Sequence, residues 1–98
     1  MVERARRRVV ISGVGAITPI GLTSNGLWEG LRAQRSKVRQ ISRFDPSLFR
    51  SHLAAQVDDF DPADFLEAKR TKRLDRFGQF SVAAARLALE DSEIDLAA

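Results

Sequence analysis

The apolar positions near the N-terminus form one short, uninterrupted run. Residues 9–11 are consecutive β-branched residues, which is typical of a strand buried on both faces. We therefore predict a strand over residues 8–12. Gly13 and Gly15 interrupt the apolar run, and turn-forming residues continue as far as Gly21, which predicts a loop.

Two other stretches have helical spacing. Ser24 or Asn25 can cap a first helix, which should end near Arg35. The clearest helix is predicted from about Asp75 to Asp91, because its apolar residues recur at helical intervals. Its apolar and small positions are Phe77, Phe80, Ala83, Ala84, Ala85, Leu87 and Ala88. The small side chains would allow another backbone segment to approach this helix closely.

The middle of the chain predicts short elements only. Asp45 and Asp61 each precede a proline, and both sites predict a short helical turn, because aspartate caps the turn and proline needs no hydrogen-bond acceptor there. Residues 53–57 are mostly apolar and predict a short strand between the two turns. The rest of residues 36–52 is expected to be irregular.

Composition places the chain among globular proteins. It has 98 residues, 44% of them hydrophobic and 30% charged, which suits one small domain or part of a larger one. No apolar run approaches the roughly 20 residues that span a bilayer, and the basic N-terminus lacks the apolar core of a signal peptide. A cytoplasmic location is expected. The chain has no cysteine, which excludes disulfides and thiolate chemistry within it.

Three candidate sites each have a simpler explanation. Gly13 and Gly15 resemble part of a dinucleotide-binding loop, but the third glycine is replaced by Thr18, so a tight turn is the better interpretation. His52 is the only histidine and is expected to be a surface or loop residue. The acidic stretch 58–67 lacks the pattern of a calcium loop, and helix caps and solvated charge explain it better.

A cluster of basic residues is the most useful feature for function. It consists of Lys69, Arg70, Lys72, Arg73 and Arg76. If residues 69–76 were helical, four of the five would share one face. A solvated helix face, a phosphate-binding surface and a surface for an acidic protein all remain open on this pattern alone.

Several segments, taken in order, resemble one enzyme family. They are residues 9–21, Trp28 with Leu31, residues 41–45, residues 57–61, and residues 69–77 leading into the alanine-rich helix. From about residue 8 to the end, the chain resembles β-ketoacyl-acyl carrier protein synthases. It is most similar to the elongating type II ketosynthases and their polyketide relatives.

The resemblance implies an α/β fold of the thiolase-like type, with five αβαβα layers. Residues 1–98 would form a partial N-terminal ketosynthase domain, incomplete in this chain and without a second domain. The strand at residues 8–12 should lie in a central layer, and the last helix should pack deep in the domain. A lone buried strand cannot satisfy its backbone, so we do not expect these residues to fold stably alone.

The resemblance also implies an activity, a decarboxylative Claisen condensation in fatty acid or polyketide biosynthesis. The family's cysteine, two histidines and lysine lie beyond the matched region, so no catalytic residue, metal site or cofactor is assigned here. The chain alone is predicted to be inactive, and the intact protein is expected to be a homodimer or a ketosynthase heterodimer. Neither nucleic acid nor membrane is an expected partner.

The one site that the resemblance transfers is for docking. In related synthases, basic residues before the alanine-rich helix bind the acidic acyl carrier protein, which bears phosphopantetheine-linked acyl or malonyl groups. The matching positions are Lys69, Lys72 and Arg73, with Arg70 and Arg76 as neighbours.

The sequence departs from the family at two turns and leaves other functions open. Residues 34–37 replace a turn that often contains glycine, and Ser92 and Glu93 replace an alanine-glycine pair. A non-catalytic chain-length-factor-type partner is the alternative within the family. A free-standing basic binding module is an alternative of a different class, and a truncated product with no activity of its own is a third possibility.

Overall fold

Two small antiparallel sheets and three α-helices form the part of the chain that the structure describes. The structure is a computed structural model, and it describes residues 5–97. Residues 1–4 and residue 98, which belong to the predicted domain, lie outside that range. The elements are β1 (Ile17–Thr18), β2 (Gly21–Leu22), α1 (Thr23–Arg32), β3 (Val38–Gln40), β4 (Leu53–Ala55), a 3-10 helix (Pro62–Asp64), α2 (Ala68–Thr71) and α3 (Arg76–Ser92). β1 pairs with β2, and β3 pairs with β4.

The strand predicted for residues 8–12 is not formed. The side chains of Val9, Val10 and Ile11 are 90%, 76% and 85% exposed, and no strand is assigned to this segment. The prediction fails because, within residues 5–97, neither of the two sheets includes this segment. A single extended segment cannot complete its backbone hydrogen bonds without a partner strand.

The first helix is confirmed, but its predicted caps are wrong. The chain turns from β2 directly into α1, so the helix begins at Thr23 rather than after Ser24 or Asn25. The Thr23 hydroxyl oxygen accepts a 3.1 Å hydrogen bond from the Gly26 N–H. It therefore satisfies one of the free donors that every helix N-terminus presents.

The two Asp-Pro turns have different outcomes. Asp61 accepts a 3.0 Å hydrogen bond from the Ala63 N–H and caps the 3-10 helix, as predicted. Asp45 accepts an equivalent bond from Ser47, which lowers the pKa of its carboxyl group, but the chain continues as a turn without a helix. The strand predicted for residues 53–57 forms over Leu53–Ala55 only, where it pairs with β3.

The last helix matches its predicted bounds but is only partly covered. It runs over Arg76–Ser92 with Asp75 as the N-terminal cap residue. Of its side chains only Ala83 is fully buried, and Phe77 is 73% exposed. The expectation of deep packing is therefore wrong for the described residues, because every α3 side chain except that of Ala83 stays at least partly exposed.

The predicted close approach to the alanine-rich helix is confirmed. A Cβ atom at Gly15 would overlap the Ala84 carbonyl oxygen, and one at Gly13 would overlap the Ala88 carbonyl oxygen. Neither glycine has a positive φ, so the conformational freedom that glycine permits in a tight turn is not used here. Glycine is needed at both positions because the loop backbone lies directly against α3.

The described residues do not enclose a complete core. The radius of gyration is 18.3 Å, whereas a compact domain of 100 residues has a value of about 13 Å. Within residues 5–97 the buried hydrophobic side chains are Phe60, Leu66 and Ala83. The elements therefore contact one another without assembling around one large apolar centre.

Substitution of Gly15 by alanine should destabilise the protein, because the new methyl group would overlap the α3 backbone. We expect a loss of roughly 2–4 kcal/mol in the free energy of unfolding, measured by urea denaturation. Gly78→Ala is the matched control, since its Cβ would meet Leu74 at an ordinary 3.4 Å inside α3. The control should raise stability by up to about 1 kcal/mol. Equal effects at both positions would contradict the packing argument.

The two family departures at helix ends predict a stabilising change. Gln34 and Glu93 adopt φ values of 53° and 57°, in the left-handed region where glycine is favoured. Gln34→Gly and Glu93→Gly should each raise the free energy of unfolding by up to about 1 kcal/mol. The measurement is the midpoint of thermal unfolding, which should rise in both variants. Ala85→Gly, within α3, should instead lower it. Destabilisation by all three would show that the left-handed geometry is not retained in solution.

Candidate functional site

The basic cluster lies at a turn between two helices rather than on one helix. α2 ends at Thr71, and α3 begins at Arg76. The helix assumed over residues 69–76 is therefore wrong. The reason is the extended backbone of Asp75, with ψ of 168°, which ends helical hydrogen bonding before α3 starts.

Four of the five basic residues are exposed at this turn. We call Lys69, Arg70, Lys72 and Arg73 the basic patch, and all four are exposed. Among the described residues none of the four forms an ion pair, and the ion pairs that are formed join Arg32 to Glu29, Arg43 to Asp58 and Arg86 to Glu90. The patch is therefore a concentrated positive surface that is not neutralised by direct carboxylate contacts.

Arg76 differs from the other four because its guanidinium group is engaged within the protein. Its Cζ atom lies 5.6 Å from the centre of the Phe60 ring and 5.0 Å from that of Phe80. Its Nη2 donates a 2.6 Å hydrogen bond to the Val57 carbonyl oxygen. These are the contacts of a cation–π pair and a charge-assisted hydrogen bond.

An aromatic cluster lies beneath the start of α3. Phe60 is buried, and its ring stacks on Phe65 at 5.5 Å and meets Phe80 edge to face at 4.9 Å. Both separations are within the range in which aromatic pairs attract. The cluster joins the segment before the 3-10 helix to α3.

The turn itself is fixed by a side chain that the sequence pattern did not single out. The Gln79 side-chain amide nitrogen lies 3.2 Å from the carbonyl oxygens of both Thr71 and Leu74 and donates to them. These carbonyls belong to the end of α2 and to the turn, where carbonyl acceptors lack helical N–H donors. The position of Gln79 in the first turns of the helix predicted from about Asp75 was the available signal.

A shallow groove lies next to the patch. It has a volume of 330 Å³, and its walls come from the 3-10 region, α2 and α3, namely Phe65, Leu66, Glu67, Arg70, Val82, Ala85, Arg86 and Leu89. Arg86 donates from Nη1 to the Phe65 carbonyl oxygen at 2.6 Å and pairs with Glu90 at 3.4 Å. The spacing of four residues between Arg86 and Glu90 indicates this pair in the sequence.

The remaining candidates from the sequence are His52 and the acidic stretch 58–67. The His52 side chain is exposed, and its backbone carbonyl accepts a 2.8 Å hydrogen bond from Ile41. In the acidic stretch, Asp61 caps the 3-10 helix and Asp58 pairs with Arg43 at 3.7 Å. The explanation of these acids by caps and surface charge is confirmed for these two residues.

The chemistry available at this site is electrostatic. The patch offers ammonium and guanidinium groups, and the chain supplies no cysteine. Exposed cations of this kind attract and orient an anionic partner, and their effect weakens as salt is added. None of the helices within residues 5–97 has the length and apolar character of a membrane-spanning segment.

Comparisons with known proteins define the class. The family profile described as "Beta-ketoacyl synthase, N-terminal domain" matches residues 6–98. The chain therefore belongs to the β-ketoacyl synthase family, and this membership implies a thiolase-like fold. The resemblance found in the sequence is confirmed.

Individual relatives agree with this assignment. The chain is 44% identical over 91 residues to the 3-oxoacyl-acyl-carrier-protein synthase 2 of Coxiella burnetii, covering 93% of this chain and 22% of the relative. It is 42% identical over 94 residues to the enzyme of the same name from Synechocystis, covering 96% and 23%. The chain thus spans less than a quarter of the length of these relatives.

A solved structure has the same arrangement. It is described as "The ishigamide ketosynthase/chain length factor" and matches this chain with a TM-score of 0.82 and 42% sequence identity. The match covers 93% of this chain and 23% of the other. The likeness therefore extends over nearly all of the present chain.

Proposed function

We propose that the protein to which this chain belongs is a β-ketoacyl-acyl carrier protein synthase. The observation that carries the proposal is the 42–44% identity to synthases of that name over 93–96% of the chain. The reaction would join an acyl thioester to a malonyl thioester. The new carbon–carbon bond forms as carbon dioxide is lost, and the products are a β-ketoacyl thioester and a free thiol.

This segment would contribute structure and docking rather than catalytic groups. The family's nucleophile is a cysteine that first takes the acyl chain as a thioester, and the chain has no cysteine. Its one histidine, His52, is exposed on a loop. We therefore expect the 98 residues alone to catalyse no condensation. The five-layer fold would be completed by the rest of a longer protein. That protein would be a cytoplasmic homodimer or a ketosynthase heterodimer.

The basic patch supports a role in binding the acyl carrier protein. Its four cations are exposed and unpaired with carboxylates in the described residues. A carrier protein is acidic and delivers its substrate on a long phosphopantetheine arm. Complementary charge would speed the encounter and orient that arm toward the catalytic centre.

Reversal of two patch charges should weaken carrier binding in the intact enzyme. Lys69→Glu combined with Arg73→Glu replaces attraction by repulsion, so affinity at low salt should fall by at least about tenfold. Fluorescence anisotropy of labelled acyl carrier protein measures it. Lys37→Glu with Arg50→Glu is the matched control, because it makes the same charge change at exposed residues outside the patch. Unchanged affinity in the patch variant, or equal losses in both, would contradict the proposal.

The second candidate is a chain-length-factor-type partner without its own nucleophile. The solved neighbour favours keeping it, because its name places a chain length factor beside a ketosynthase. Incubation of the intact protein with carrier protein that bears an acyl group, followed by intact-mass measurement, distinguishes a synthase from a chain-length-factor-type partner. A synthase should gain one acyl group on a cysteine and then convert malonyl-carrier protein to a β-ketoacyl product. Absence of acylation would favour the chain-length-factor-type function.

A further inference from the structure

We infer that Arg76 positions the basic patch instead of contacting the partner. The inference rests on the proposed docking function and assigns Arg76 a role different from that of Lys72 and Arg73. Arg76 is half-buried, whereas the four patch residues are exposed. Its charge lies against the protein, where a docking partner has limited access to it.

The guanidinium group of Arg76 is held from three sides. Phe60 and Phe80 lie within 5.6 Å and 5.0 Å of its Cζ atom. The Val57 carbonyl oxygen accepts its hydrogen bond at 2.6 Å. The guanidinium group packs on both phenyl rings, and its Nη2 is hydrogen-bonded to the Val57 carbonyl oxygen. Its rotation is therefore restricted.

The acceptor of that hydrogen bond is itself anchored. The Val57 carbonyl oxygen also accepts a 2.9 Å hydrogen bond from Arg43 Nη2, and Arg43 pairs with Asp58 at 3.7 Å. Two arginines from distant parts of the chain therefore meet at one carbonyl. The start of α3 is tied through Arg76 to the segment at residues 57–60.

This attachment determines where the turn between α2 and α3 lies. Arg76 is the first residue of α3 and follows Arg73 by three positions, so its anchor sets one end of the turn. Gln79 holds the other side through the carbonyls of Thr71 and Leu74. Loss of the Arg76 anchor should let Lys72 and Arg73 adopt many orientations, which weakens binding by disorder rather than by loss of a contact.

The dependence of carrier affinity on salt separates positioning from contact. A residue that contacts the partner contributes to the salt dependence, as a rim charge does. Arg73→Gln in the intact enzyme should therefore reduce both the affinity and the slope of log affinity against log salt. Arg76→Gln should lower affinity by roughly 3- to 30-fold at every salt concentration, with the slope unchanged. Measurements are made well below the unfolding midpoint of each variant.

Two further measurements address folding and rescue. Arg76→Lys keeps a cation over the rings and one donor for Val57, so it should recover part of the affinity. Trypsin should cleave after Lys72 and Arg73 faster in Arg76→Gln than in the unsubstituted protein, a readout that needs no carrier.

Each outcome has a definite meaning. A reduced slope in Arg76→Gln equal to that of Arg73→Gln would assign Arg76 a direct contact and overturn the inference. Unchanged affinity and cleavage rate would also overturn it. Failure of the unsubstituted enzyme to bind the carrier would instead refute the docking function, and the role of Arg76 in docking would fall with it.

Discussion

Close packing between a loop backbone and a helix backbone is the constraint on which the arrangement of this chain depends. Gly13 and Gly15 leave no room for a side chain where the N-terminal loop crosses Ala84 and Ala88 of α3. The Val14 N–H donates a 2.9 Å hydrogen bond to the Asp91 carboxylate at the same crossing. This contact joins residues more than 70 positions apart. It therefore fixes the apolar N-terminal segment relative to the helix that begins at the basic patch.

The two kinds of exposed surface on this chain have different implications. Apolar side chains such as those of residues 9–11, Trp28 and Phe77 are largely in contact with solvent, whereas large apolar side chains are more often buried in folded proteins. The relatives are more than four times as long as the matched region, and the proposed function implies that further residues cover these side chains. The basic patch needs no such cover, because charged side chains are stable in water.

Local signals predicted the elements that depend on neighbouring residues. The bounds of α3 and the cap at Asp61 follow from helical spacing and from the Asp-Pro pair, both of which act within a few residues. The strand at residues 8–12 could not be predicted correctly from local pattern, because a strand needs a partner and neither sheet within residues 5–97 supplies one. The helix assumed through the basic cluster is also wrong, because α2 ends at Thr71 and the extended backbone at Asp75 separates the turn from α3.

The candidate site was predicted in its residues but not in their roles. A charge pattern identifies Lys69 to Arg76 as a group, yet only the structure separates the four exposed cations from Arg76, which packs on Phe60 and Phe80. The spacing of Arg76 and Phe80 by four residues indicates a shared helix face. The contribution of Phe60 and Val57 comes from a loop, whose path no periodic pattern specifies.

Hydrogen exchange at residues 9–11, in the protein as isolated from its natural source, tests the central claim most directly. That claim is the proposal that this chain belongs to a synthase in which further residues complete its fold. The account predicts that these amides exchange only on global unfolding, as in a central strand. Exchange at the rate of an unstructured peptide would contradict it and would show that the apolar segment has no partner strand.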